Sequence, residues 1–393
     1  MQDSQPEQIA VRCVLMRGGT SKALFFHDCD VPPVGAHRDS FLKRAMGTPD
    51  VMQIDGLGGS RLVTSKAAII STSKRTDADV DYTFAQVDIE RDLVGYDANC
   101  GNISSAVGPF AIDEGLVAAI EPVTTVRIYN TNTDKILVAR VPVARGKARV
   151  TGNCAIAGVP GTGAEILMDY TGTIGAKTGR LLPTGRALDS MTLEDGRQIL
   201  VSLCDAANPC VFFEASCLGL TGKEMPADLS ANTALIETIG EIQSKAGQMM
   251  RLWTDWRLHH LPGLPLAVMV AAPTDYIDMA GVAQSKPAMD LQARLFFLGK
   301  CHDSMAGTGS ICTAAASRIK GSIVHAVMDS DRELKESLYI GHPLGVMAVK
   351  VKVITSAEKQ PDMLKFSALG LIRTARRLMS GDIYLPAFFL INK

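Results

Sequence analysis

The alternation of apolar and polar residues along the chain is short-ranged and often interrupted. Period-two alternation or short apolar runs occur at residues 67–71, 82–89, 125–129, 135–143, 199–203 and 210–213, most of them bounded by Gly, Asp or Asn, and these predict strands. Another strand is expected over 11–16, just before a polar turn. Helical spacing shows in three places. Residues 102–114 carry Ile103, Val107, Phe110 and Ala111, with Gly115 as a stop. Residues 235–248 line up Ile236, Ile239, Ile242 and Ala246, and residues 311–318 form a small-residue helix suited to close packing. Residues 145–195, rich in Gly, Thr and Pro, read as long loops. Strands outnumber helices and do not alternate regularly with them. The fold class is therefore mixed α/β, but not a doubly wound sheet.

Two segments look like echoes of each other. Asn99-Cys100-Gly101-Asn102 precedes one apolar helix, and Ala306-Gly307-Thr308-Gly309 precedes another about 200 residues later. Two similar halves would turn two helix N-termini toward one cleft. The length of 393 residues leaves room for two or three domains, and 47% hydrophobic residues provide a large core.

Composition narrows the partners. Forty basic and 41 acidic side chains nearly cancel, so a nucleic-acid footprint is not expected. An anionic ligand would have to be held by local features. The apolar stretch 264–272 is too short to span a bilayer and reads as a buried strand, so no membrane contact is expected. The N-terminal segment lacks the charge and apolar pattern of a signal peptide. Nine cysteines, odd in number and without a C-x-x-C pair, suggest free thiols and a cytoplasmic setting.

The candidate chemistry lies in a few segments. Arg17-Gly18-Gly19-Thr20-Ser21-Lys22 lacks phosphate-loop spacing; it is either an anion-binding turn built from backbone N–H groups and hydroxyls or a simple polar turn. The glycine-rich loop at 55–60 does not fit a dinucleotide site. Lys66 enters an apolar strand. Burial would lower its pKa and make it a usable base, whereas a strand-edge lysine would reach back to solvent. Cys100 precedes a helix whose N-terminus would stabilise a thiolate, while the free N–H groups of Gly101 and Asn102 could hold a carboxylate; the alternative is a buried structural cysteine. His259 and His260 are adjacent, and no histidines or cysteines fall at metal-ligand spacing, so no metal is expected. His342, in Gly341-His342-Pro343, is either a polar site residue or a turn histidine.

At residues 16–22, 53–59, 64–66 and 99–102 the chain resembles the PrpF family of 2-methylaconitate cis-trans isomerases, 4-oxalomesaconate tautomerases and methylitaconate Δ-isomerases. The likeness continues through Val80-Asp81-Tyr82, Leu182-Pro183-Thr184-Gly185, Gly307-Thr308, Gly341-His342-Pro343 and residues 373–379. It implies the diaminopimelate-epimerase-like fold: two similar halves, each a curved sheet around a central helix, with the active site in the cleft between them. The halves are expected at about 1–200, with help from the C-terminal strand, and 201–393. Amino-acid epimerases of that superfamily use two opposed cysteines. Here the first matches Cys100 and the second matches Ala306, which cannot carry a proton.

The resemblance therefore points to Lys66 and Cys100 as the catalytic pair of an isomerase that shifts a C=C bond in a small unsaturated di- or tricarboxylic acid. Arg17, Thr20, Ser21, Gly101, Asn102, Gly307, Thr308 and His342 are the expected substrate contacts. No cofactor is expected, because the substrate supplies its own electron sink. A homodimer is compatible with the fold class. The alternatives are an accessory or acid-binding protein for an aconitase-type dehydratase, and an amino-acid epimerase of the same fold.

Overall fold

The computed structural model describes residues 6–97, 99–328, 335–354 and 364–387. Its first half begins with an antiparallel hairpin of β1 (Gln8–Gly18) and β2 (Ser21–His27). Helix α1 (Ala36–Met46) crosses to β3 (Lys66–Thr72), parallel to β2, and β4 (Val80–Val87) returns antiparallel. Helix α2 (Gly101–Asp113) crosses to β5 (Val123–Asn130), parallel to β4, and β6 (Lys135–Ala144) returns antiparallel. The short strand β7 (Ile166–Asp169) extends this sheet beside β6.

The second half repeats the same order of antiparallel, parallel, antiparallel, parallel and antiparallel pairings. Its strands are β8 (Gln198–Ala206), β9 (Asn208–Glu214), β10 (Leu266–Ala271), β11 (Leu291–Phe297), β12 (Ser337–His342) and β13 (Gly345–Val353). Helix α3 (Thr233–Met249) takes the place of α1, and α4 (Gly307–Ala316) that of α2. Two closing strands join the halves. β14 (Phe366–Arg373) pairs with both β13 and β7, and β15 (Ala375–Pro386) runs antiparallel along β1.

Burial explains why each sheet coils around one helix. Every residue of α2 from Gly101 to Ile112 is buried, as is all of α4. A helix that is apolar on every side must be surrounded. Both central helices belong to one large apolar cluster that includes Phe110, Ile128, Ile311 and Leu371. Helices α1 and α3 each have one buried face and cover the outside of a sheet over a smaller cluster.

The patterned strands and helices occur close to where their periodicity places them. One element differs in its bounds: α4 starts at Gly307, so the segment Ala306–Gly309 is that helix's N-cap and first turn. Helix α1 was not expected, and neither were strands β2, β7 and β11 to β15. Residues 145–195 are mostly loop, with β7 and a few shorter strands inside them. No helix among the described residues is long and apolar enough to cross a membrane.

Candidate active site

The two central helices meet end to end. A Cβ added to Gly101 would lie 2.9 Å from backbone atoms of Gly307 and Thr308, and one added to Gly307 would lie 2.9 Å from the backbone of Gly101. Only glycine permits this approach. The N-caps, Cys100 and Ala306, give no side-chain cap. The first N–H groups of each helix therefore have no partner within it, and two positive dipole ends face one another. Such a junction is electrostatically unfavourable by itself and favours an anion.

Lys66, the first residue of β3, is 4% exposed. Its Nζ donates to Gln86 Oε1 on the facing position of β4. The Gln86 amide nitrogen donates to the carbonyls of Leu62 and Ser65, at 3.2 and 2.9 Å, which fixes the orientation of the amide. Nζ also lies 5.2 Å from the Phe84 ring centroid. No carboxylate pairs with Lys66 among the described residues. Removal from water pushes its pKa down, partly opposed by the negative charge a thiolate at Cys100 would carry. The loop before β3 sets this geometry. Gln53 donates to Ser65 Oγ at 2.7 Å and accepts from the Ser60 N–H at 2.9 Å, bracing the residue next to Lys66.

A polar chain crosses the cleft beside the helix junction. Thr20 Oγ1 accepts from Asn102 Nδ2 at 3.0 Å and shares a 3.0 Å hydrogen bond with Ser304 of the second half. Arg373 Nε donates to Asn102 Oδ1 at 3.1 Å. A second chain, Asn208 Nδ2 to Thr308 Oγ1 at 3.0 Å and Thr308 Oγ1 to the Asn99 carbonyl at 3.2 Å, mirrors the first. Thr20, Gly101, Asn102, Gly307 and Thr308 thus sit together at the junction.

Two of the expected contacts have other surroundings. Arg17 Nη1 donates to the carbonyls of Gly19 and Thr374, at 3.0 and 2.8 Å, so it fastens the turn to the start of β15. The Gly19 N–H is likewise taken, by the Thr374 carbonyl. The Gly-Gly pair exists for contact: a Cβ at Gly18 would fall 2.4 Å from the Asn102 carbonyl oxygen. Arg17 Nη1 and the Gly19 N–H are therefore already used within the fold, and the Gly-Gly pair has a packing role. Ser21 is buried and its hydroxyl has no partner among the described residues.

Two buried histidines are held neutral. His342 accepts the Leu344 N–H on Nδ1 at 3.2 Å, which puts the proton on Nε2, and that atom is buried without a partner among the described residues. Burial, reinforced by Arg373, Arg294 and His302, pushes its pKa down to about 3. His302, which accepts the Ser304 N–H on Nδ1 at 3.0 Å, is pushed down to about 4 by burial and then by the Lys66 charge. Gln86, His302, Ser304 and Arg373 carry no roles in the sequence reading. The signal was a polar residue inside an apolar strand for Gln86 and Arg373; for the other two it was only proximity to Ala306.

The molecule is similar throughout its length to known proteins. The family described as PrpF protein matches residues 8–386. The 3-methylitaconate isomerase of Eubacterium barkeri is 44% identical over 388 residues, 98% of this chain and 100% of that protein. The 4-oxalomesaconate tautomerase of Pseudomonas putida is 37% identical, covering 96% of each. A crystal structure of methylitaconate-delta-isomerase superimposes with a TM-score of 0.78 at 44% identity, covering 99% of this chain and 98% of that one. A hydroxyproline epimerase from Agrobacterium vitis shares the fold at 13% identity, with a TM-score of 0.56 over 98% of this chain and 94% of that one. The architecture is the diaminopimelate-epimerase-like fold, and the chain belongs to the PrpF family.

Proposed function

We propose that this protein is an isomerase that shifts a carbon–carbon double bond in a small unsaturated di- or tricarboxylic acid by allylic proton transfer. The observation that carries this reading is Lys66: a buried amine whose hydrogen-bond partner is the neutral amide of Gln86, near the one central-helix end that bears a thiol. A neutral partner leaves the ammonium uncompensated, so the free amine is favoured and can act as a base. The names of the relatives, a methylitaconate isomerase and an oxalomesaconate tautomerase, support the substrate class.

In this mechanism Lys66 removes an allylic proton. The C–H electron pair moves into the conjugated system, and charge accumulates on a carboxylate or keto oxygen. The N–H groups at Gly101–Asn102 and Gly307–Thr308 bind substrate carboxylates and stabilise that charge. A proton returns to another carbon from Lys66 or from Cys100, and the double bond is then displaced. Thr20, Ser21 and His342 contribute polar contacts, with His342 Nε2–H as an unused donor. The substrate's own conjugation is the electron sink, so the reaction is cofactor-independent. We place the two halves at about residues 1–200 and 201–393, the protein in the cytoplasm on the strength of its nine free thiols, and its assembly as a homodimer. Ala306 argues against the epimerase alternative, which needs a second thiol.

The test is proton NMR in D₂O, without added metal or cofactor, on methylaconitate, aconitate, methylitaconate and oxalomesaconate. The expected result is a shifted vinyl signal with deuterium at the allylic carbon of at least one acid. A folded sample that binds one of these acids yet exchanges no proton would favour an accessory or binding protein.

A further inference from the structure

A cavity of about 490 Å³ opens beside the helix junction, and Thr20 and Arg373 belong to its wall. Arg373, the last residue of β14, is 3% exposed. Its guanidinium donates to Asn102 Oδ1 at 3.1 Å, to the Ile372 carbonyl at 2.9 Å, and to the Met347 thioether at 3.1 Å. A thioether is a weak acceptor, and no carboxylate pairs with Arg373 among the described residues. Buried cations are ordinarily paired. The acid on the cavity wall, Glu165, is exposed and makes no ion pair with it. The remaining wall includes Ala155, Ile156, Val346 and Met347, which can enclose a hydrocarbon but cannot balance a charge.

We propose that Arg373 and this cavity form a carboxylate subsite, which receives the substrate carboxyl group lying away from the one held at the two helix N-termini. The inference rests on the isomerase reading above and deepens it: the substrate must carry at least two carboxylates. Nη2, now against Met347 Sδ, is the atom that turns to the incoming carboxylate. Asn102 links this subsite to the helix junction, because the same side chain accepts from Arg373 and donates to Thr20.

The test uses two acids that differ by a single carboxylate, mesaconate and its monocarboxylate counterpart tiglate, with binding to the full chain read by calorimetry. Arg373→Gln is expected to weaken mesaconate by roughly 30-fold or more and to leave tiglate within about twofold. Arg373→Lys should recover part of the loss, since it restores the charge without the fork. Met347→Glu provides an independent variant: its carboxylate would occupy the guanidinium from within, so mesaconate should weaken comparably while the fold keeps its melting temperature. Equal losses for both acids in Arg373→Gln, or unaltered mesaconate binding in Met347→Glu, would overturn the subsite. If mesaconate binds through Arg373 but none of the four unsaturated acids is isomerised, the isomerase reading fails and the subsite stands. A wild-type protein that binds neither mesaconate nor trans-aconitate would remove both.

Discussion

The two halves share a strand order, an outer helix and a buried central helix, yet their equivalent positions carry opposite chemistry. Lys66 opens β3 and faces Gln86. Its counterpart Leu266 opens β10 and, one step beyond the paired register, faces Phe297. Cys100 caps α2, whereas Ala306 caps α4. What stays constant is the backbone: a glycine first turn, no side-chain cap, and a close approach to the other helix. On the proposed reading the scaffold supplies a symmetric anion cradle, and proton chemistry is confined to the first half. An apolar pair suits the second half because a buried polar pair without a task would only cost stability.

Removing the amine is the strongest way to break this asymmetry. Lys66→Met makes the first half resemble the second, and turnover should fall by about 10³-fold or more. Stability should move the other way. The Lys66 pKa is lowered in the folded state, so below 10.5 the unfolded chain holds a proton that the folded chain binds less well. That difference favours unfolding, and the penalty fades as pH rises toward 10.5. The Met variant should therefore melt higher than wild type near pH 7, by about 1 kcal/mol in stability, with the gap closing in alkaline buffer. Thermal melts across pH check this, and a less stable variant at pH 7 would contradict it.

Cys100→Ala makes the helix ends chemically alike. Turnover should fall by about 10²-fold with the melting temperature nearly unchanged, measured by steady-state kinetics and circular dichroism. Full activity would assign both proton transfers to Lys66. Gly307→Ala acts on the frame of the cradle and leaves both proton-transfer groups in place, so its effect is read first in stability. Its new methyl meets backbone at 2.9 Å, so the helices must part, and urea unfolding should show a loss of about 1–3 kcal/mol. An unperturbed Gly307→Ala would mean that the junction is looser than described.

Much of the frame was readable in the sequence because its signals are local. The apolar, small-residue character of α2 and α4 marks helices surrounded on all sides, and α3 carries a clean apolar stripe. Helix α1 was missed because His37, Arg38, Asp39, Lys43 and Arg44 dilute its apolar face; packing of Phe41, Leu42 and Met46 and the left-handed Gly47 cap fix it instead. The start of α4 was placed late because glycine is a poor helix former, and its reason for being there, the contact with Gly101, lies 206 residues away. The positions of Lys66 at the start of a strand and of Cys100 just before a helix were readable from local context. Gln86 was not, since its role depends on the β3–β4 register. Arg373 reaches the site only because the end of the chain returns to lie beside α2, 271 residues from Asn102.

A Lys66 that works as a buried neutral amine must show it in its own titration. In protein labelled with ¹³C at the lysine ε-carbon, one resonance should be absent from Lys66→Met and should titrate below the ordinary 10.5. Gln86→Glu, which places a carboxylate where the neutral amide now sits, should move that titration upward by about one unit or more, and shift the acid limb of kcat/KM to higher pH with it. A Lys66 that titrates at or above 10.5 in the wild-type protein would contradict the account.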